Sequence, residues 1–91
     1  MIKYVITVTD NNKIRVLKNT FVNYQQALMY VNEKYHRAKT QIMTSAERRD
    51  GVMCKYVYKR YGENNRISIY TIKIHKIVLE GDVYDEEKKD P

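Results

Sequence analysis

Residues 23–51 read NYQQALMYVNEKYHRAKTQIMTSAERRDG, and this stretch decides the fold. Asn23 is a good helix N-cap, and Gln26 three residues on completes a capping box. The apolar positions Tyr24, Leu28, Val31, Tyr35, Ala38, Ile42 and Ala46 follow at spacings of 4, 3, 4, 3, 4 and 4, a helical rhythm. Arg48 and Arg49 suit the negative end of a helix dipole, and Gly51 suits the position just past it. The periodic stretch runs for about 26 residues, or ~39 Å at the rise of an α-helix. An eight-residue strand spans only ~27 Å. Such a helix overhangs its sheet, breaks near Thr40–Thr44, or finds a second subunit. The last outcome makes a homodimer the expected assembly.

Strand patterns flank this stretch. Ile2, Tyr4, Ile6 and Val8 alternate with Lys3, Val5, Thr7 and Thr9, as in a half-buried strand over 2–9. Asp10-Asn11-Asn12-Lys13 is a turn, because Asn and Asp tolerate the left-handed conformation. Residues 13–18 read as the return strand. Beyond the helix, 52–61 is a third strand, Gly62-Glu63-Asn64-Asn65 a turn, and 66–79 a long fourth strand. The fourth carries the offset pairs Ile67-x-Ile69, Ile72-x-Ile74 and Ile77-x-Leu79. Bulges near Tyr70-Thr71 and His75-Lys76 would reconcile that rhythm with one buried face; so would a strand that begins a new pairing. The order β-β-α-β-β predicts an α+β domain over 1–81: a four-stranded antiparallel sheet with one long helix on one face. Residues 82–91 read as a frayed acidic tail.

The opening strand-strand-helix order, with Thr20-Phe21 ahead of Gln26-Ala27-Leu28, resembles the small DNA-binding arm domains of phage integrases. The resemblance covers residues 2–37. Those domains usually place three strands before the helix, where this chain has two, and no site residue carries over.

Charge is divided unevenly. Residues 1–79 hold 15 Lys/Arg against five acids, or +10, and residues 80–91 hold six acids against two lysines, or −4; together they make the net +6. A basic body attracts polyanions or acidic protein surfaces. Ninety-one residues form one small domain with a thin core, and the single Cys54 excludes an intrachain disulfide. The reading is a reducing compartment and a buried or half-buried structural thiol on a strand. Residues 1–8 are too short and too interrupted for a signal peptide, and no apolar run approaches a membrane span. A cytoplasmic protein without a membrane partner is expected. Nine Tyr and nine Ile, with no Trp, three Gly and one Pro, suggest an AT-rich genome. A phage or mobile-element accessory protein fits that origin.

No motif points to catalysis, a cofactor or a metal. His36 and His75 lack partners at metal-ligand spacing, and Ser45 and Ser68 stand in no nucleophile motif. The glycines are too scattered for a phosphate-binding loop. The expected activity is therefore non-enzymatic binding. The candidate surface is the second hairpin, where Tyr56, Tyr58, Lys59, Arg60, Arg66 and Tyr70 interleave aromatics and cations. If Ile67 and Ile69 point to the helix, Arg66, Ser68 and Tyr70 point away, onto an uncovered face. Tyr and Arg are the usual hot spots of protein interfaces, so the first reading is capture of a host protein of the nucleic-acid or defence machinery. The alternative is direct DNA or RNA binding, by base stacking and phosphate neutralisation. A second alternative is a structural or assembly role through the helix. The same residues also suit a plain solubilised sheet, since Tyr favours strands and Lys and Arg keep them soluble.

Overall fold

A computed structural model describes residues 1–79. The acidic segment 82–91 lies outside them. The chain forms β1 (Ile2–Asp10), β2 (Lys13–Phe21), α1 (Tyr24–Lys34), β3 (Lys39–Thr40), α2 (Ser45–Arg49), β4 (Val52–Tyr61) and β5 (Ile67–Val78). The fold is α+β. Its sheet has the order β2-β1-β5-β4-β3, and every pairing is antiparallel. The four long strands stand where the sequence predicts them. The fifth, β3, is a two-residue edge strand inside the segment expected to be helical.

The hairpin turns follow from their residues. Asn11 and Asn12 both have positive φ, as the tight turn between twisted strands requires. Asn64 and Asn65 do the same between β4 and β5, and Gly62 N–H donates to the Arg66 carbonyl at 2.8 Å.

The helix is not one long element. Asn23 caps α1, its side chain accepting from the Gln25 N–H at 2.7 Å. Past its eleven residues, Tyr35 leaves helical geometry, with φ −126° and ψ 57°. Two local gains outweigh the helical spacing that continues past it. The Tyr35 ring packs edge-on against Tyr58 at 5.3 Å. Lys39 and Thr40 then pair with Val57 and Tyr56, covering part of β4's outer edge, and Gln41 N–H donates to the Lys55 carbonyl at 2.9 Å. The capping box anticipated at Asn23–Gln26 forms instead at Thr44–Glu47 and starts α2. Ile42, counted in the apolar stripe, is 89% exposed. The break thus comes ahead of Thr40–Thr44. A helix too long for its sheet does not exist, so the length argument for a homodimer loses its premise.

The strand β5 needs no bulge near Tyr70-Thr71. It pairs with β1 without interruption from Val78 to Tyr70. The one slip along β4–β5 lies between Val52 and Cys54, opposite His75, and the extra residue is in β4. The offset isoleucine pairs have a simpler cause, because only the middle pair is core. Ile72 and Ile74 are fully buried beneath α1, whereas Ile67, Ile69 and Ile77 are exposed on the other face.

The core joins Ile6, Val8, Leu17, Ala27, Val31, Tyr56, Ile72 and Ile74. Each fully buried Ile or Val there contributes roughly 1.5–3 kcal/mol. Burial, and then Cys54 beside it, pushes the Tyr56 phenol up to about 12 and raises Tyr24 as well. On the opposite face α2 is held by Glu47, which lies 3.2 Å from the Lys55 Nζ and 2.9 Å from the Lys73 Nζ. The Thr44 N–H, then the Lys73 and Lys55 ammoniums, hold the Glu47 carboxyl down at about 2.

Candidate binding groove

The helix α1 spans only ~16 Å, so it covers one end of its sheet face. Cross-strand partners share a face, and the registers therefore say what lies beyond the helix. Asp10 stands opposite Lys13 and Val8 opposite Arg15; Tyr58 stands opposite Tyr70 and Arg60 opposite Ser68. All of these belong to the face that carries Ile6, Val8, Ile72 and Ile74. Past the last α1 turn all of them but Ser68 line a concavity of about 650 Å³.

An aromatic ladder forms the groove's inner wall. Tyr35 meets Tyr58 at 5.3 Å and 68°, and Tyr58 meets Tyr70 at 6.1 Å and 36°. Tyr58 and Tyr70 are half-buried, packed against the core from its outer side. Four cations stand around the ladder: Lys13, Arg15, Lys34 and Arg60. Among the described residues one carboxylate, Asp10, shares the concavity. Lys34 is fixed in place by tyrosines, with its Nζ 3.3 Å from the Tyr30 hydroxyl and 5.7 Å from the centre of the Tyr35 ring. It also occupies the last turn of α1, where the helix dipole favours a cation. Among the described residues only Lys55 and Lys73 have a carboxylate within 4.0 Å, so none of the groove cations is neutralised by an ion pair.

A second, shallower concavity adjoins the first. Arg60 and Tyr70 line both, and Arg66 and Ser68 line the second. The two make one continuous track, from β2 across the sheet to the tip of the β4–β5 hairpin. That tip projects beyond its neighbours, since β1 pairs with β5 only as far as Tyr70 and β3 reaches only Val57 on β4.

The structure rearranges the surface expected from the sequence. Tyr58, Arg60, Arg66 and Tyr70 do come together along the track. Tyr56 does not join them: it is 7% exposed and belongs to the core. Lys59 lies on the opposite face, beside Ile69. The expected orientation of the hairpin is reversed. Ile67 and Ile69 point away from the helix, and Tyr58 and Tyr70 lie on its side of the sheet. The groove exists because the helix stops at Lys34, not because it covers the other face. Lys13, Arg15 and Tyr35 complete the site, and the residue pattern of the hairpin alone does not reveal them. The signal for Arg15 was present in the Asn11-Asn12 turn, whose register puts it in line with Val8.

The histidines play other parts. His75 Nε2 is 2.8 Å from the Thr7 hydroxyl, and burial, followed by the Lys73 charge, lowers its pKa. It lies on an interior strand opposite the β4 irregularity. His36 is exposed just past α1. Among the described residues no cluster of His, Cys, Asp and Glu is arranged to hold a metal ion, and no helix is long and apolar enough to cross a membrane. Compared with known proteins, the chain matches no family model, no curated protein and no solved structure. The likeness to integrase arm domains therefore rests on element order alone.

Proposed function

We propose that this chain is a non-enzymatic binding module that takes an anionic macromolecular partner in the groove beyond α1. One observation carries the reading: among the described residues, four cations without an ion-pair partner converge on a concavity that holds a single carboxylate. Elsewhere a surface cation costs a protein little, and solubility accounts for it. Here the cations are gathered around half-buried tyrosines, which lend large contact area at small entropy cost. The partner presents phosphates or carboxylates at matching positions. An accessory protein of a phage or mobile element, acting on a host's nucleic-acid or defence machinery, is a role in which both chemistries occur, and the AT-rich composition supports that origin.

Retention on immobilised heparin and on polyglutamate tests the reading without knowledge of the natural partner. Wild-type protein is expected to bind at least one of them at low salt and to release it steeply as salt rises. The Arg15→Ala/Arg60→Ala variant is expected to elute at clearly lower salt. A wild-type protein that binds neither polyanion at about 50 mM salt overturns the proposal.

A further inference from the structure

We infer that the occupant of the groove is single-stranded nucleic acid, with an unpaired base laid against Tyr70 and the backbone phosphates held by Arg60, Arg15 and Lys34. This rests on the anion-binding reading and names the partner. Three features of the track select a strand over a carboxylate-bearing protein surface.

The first is the vertical arrangement. The tyrosines are recessed and half-buried, while Lys13, Arg15, Lys34 and Arg60 stand around them. A polynucleotide has that same division, with flat apolar bases on one side of a charged backbone. Carboxylates on a helix or strand of another protein would reach the cations at the rim and leave the concavity unfilled. The second feature is the path. Arg60 and Tyr70 belong to both concavities, so cations lie before the aromatic position, beside it and, at Arg66, beyond it. A groove that tracks a backbone and offers an aromatic platform is the general solution to binding a strand without reading its sequence. The third feature is size. The concavity of about 650 Å³ accepts a base and its sugar, whereas a duplex hides its bases inside a convex surface and would bridge the opening. Tyr70 is the end of the aromatic ladder with one ring neighbour, whereas Tyr58 has two, so Tyr70 has the ring face left for a base.

Among the described residues, Asp10 is the one group in the concavity that opposes a phosphate. It faces Lys13 across the β1–β2 turn, and its removal leaves the fold's core untouched. The Asp10→Asn variant is therefore expected to bind a strand several-fold more tightly.

The test is fluorescence anisotropy with a labelled 12-nucleotide oligothymidylate, an abasic strand of equal length, a duplex of equal length, and polyglutamate. The inference expects the oligothymidylate to bind about tenfold more tightly than the abasic strand, which carries the same charge and has nothing to stack. It expects the duplex to bind more weakly than the oligothymidylate. The log–log salt dependence for the single strand should have a slope of about −2, as three phosphate contacts require. Tyr70→Leu should erase the preference over the abasic strand, and Tyr70→Phe should keep it, with circular dichroism confirming that each variant folds. Equal binding of oligothymidylate and abasic strand overturns the inference on wild-type protein alone, whatever the variants do. Equal or tighter binding of duplex, or binding of polyglutamate only, also overturns it, and in both cases the broader anion-binding reading survives. Binding of none of the four probes overturns both.

Discussion

Ile72 and Ile69 lie three residues apart on the same strand and live in different halves of the molecule. Ile72 is in the covered half, where α1 lies on one face of the sheet and α2 is tied to the other by Glu47. Its side chain is fully buried. Ile69 is in the open half, past the Tyr58–Tyr70 pair, where β4 and β5 continue as a two-stranded ribbon. It is 54% exposed, as is Ile67 beside it. The covered half holds the apolar core. The open half holds the basic tyrosine groove and the exposed Ile67 and Ile69 of β5. The difference teaches a division of labour: burial at one end supports the fold, and the other end is free to present charge and aromatic surface. A two-stranded ribbon is marginal in water, so the open half depends on the covered half for its shape.

The largest expected effect separates those two isoleucines. Ile72→Ala should cost about 2–5 kcal/mol, the usual penalty for a cavity in a core, whereas Ile69→Ala should stay within about 0.5 kcal/mol. Urea unfolding of both variants checks this, and comparable losses would erase the boundary between the halves.

Next comes the joint between α2 and β4. Gly51 has φ +89°, and a Cβ there would stand 2.7 Å from the Lys76 carbonyl oxygen. Gly51 and Lys76 are also linked by a backbone hydrogen bond of 2.8 Å. Gly51→Ala combines an unfavourable backbone conformation with that clash and should cost about 1–3 kcal/mol. Thermal unfolding measures it, and a drop of only ~1 °C would mean that the turn rearranges freely.

A smaller effect follows from pH. The folded Glu47 carboxyl is held at about 2, against an ordinary value of 4.5. Its contribution is therefore complete above the ordinary value and is lost as pH falls toward 2. Glu47→Gln should remove that part of the acid limb and lower stability at neutral pH, because Lys55 and Lys73 are left as like charges directly opposite each other. Acid titrations of the two proteins with the same shape would show that the ion pairs contribute nothing.

The smallest effect concerns Ile42. Since its side chain is almost wholly exposed, Ile42→Asp should change stability by less than about 0.5 kcal/mol and leave sedimentation unchanged. A dissociating dimer would restore the idea that this segment meets a second subunit.

Much of the covered half was legible in the sequence. Alternation in residues 2–9, the paired asparagines of the first turn and the cap at Asn23 each report local chemistry, and the structure follows them. The helix end was not legible, because Ala38, Ile42 and Ala46 keep a helical spacing while tertiary pairing with β4 and the Tyr35–Tyr58 contact decide otherwise. The candidate site inherited that error. With a long helix, the free surface had to be the uncovered face, so Tyr56 and Lys59 were grouped with residues they do not accompany. Tyr58, Arg60, Arg66 and Tyr70 were found through their chemistry, and Lys13, Arg15 and Tyr35 were missed because they come from two other parts of the chain, β2 and the end of α1. Apolar residues on both faces of β5 also blurred its periodicity. Nothing in Ile67-Ser68-Ile69 alone distinguishes a core strand from a ribbon that stands clear of the core.

The division of labour is tested most directly by measuring stability and polyanion affinity on one variant, Arg15→Ala/Arg60→Ala. Both side chains stand in the groove and neither belongs to the core. The expected result is a melting temperature within a few degrees of wild type and a salt-dependent affinity for oligothymidylate or heparin reduced by tenfold or more, about 1.4 kcal/mol. A variant that melts as wild type and binds every polyanion as wild type does would contradict the account, since the open half would then be a solubilised extension of the sheet with no binding role.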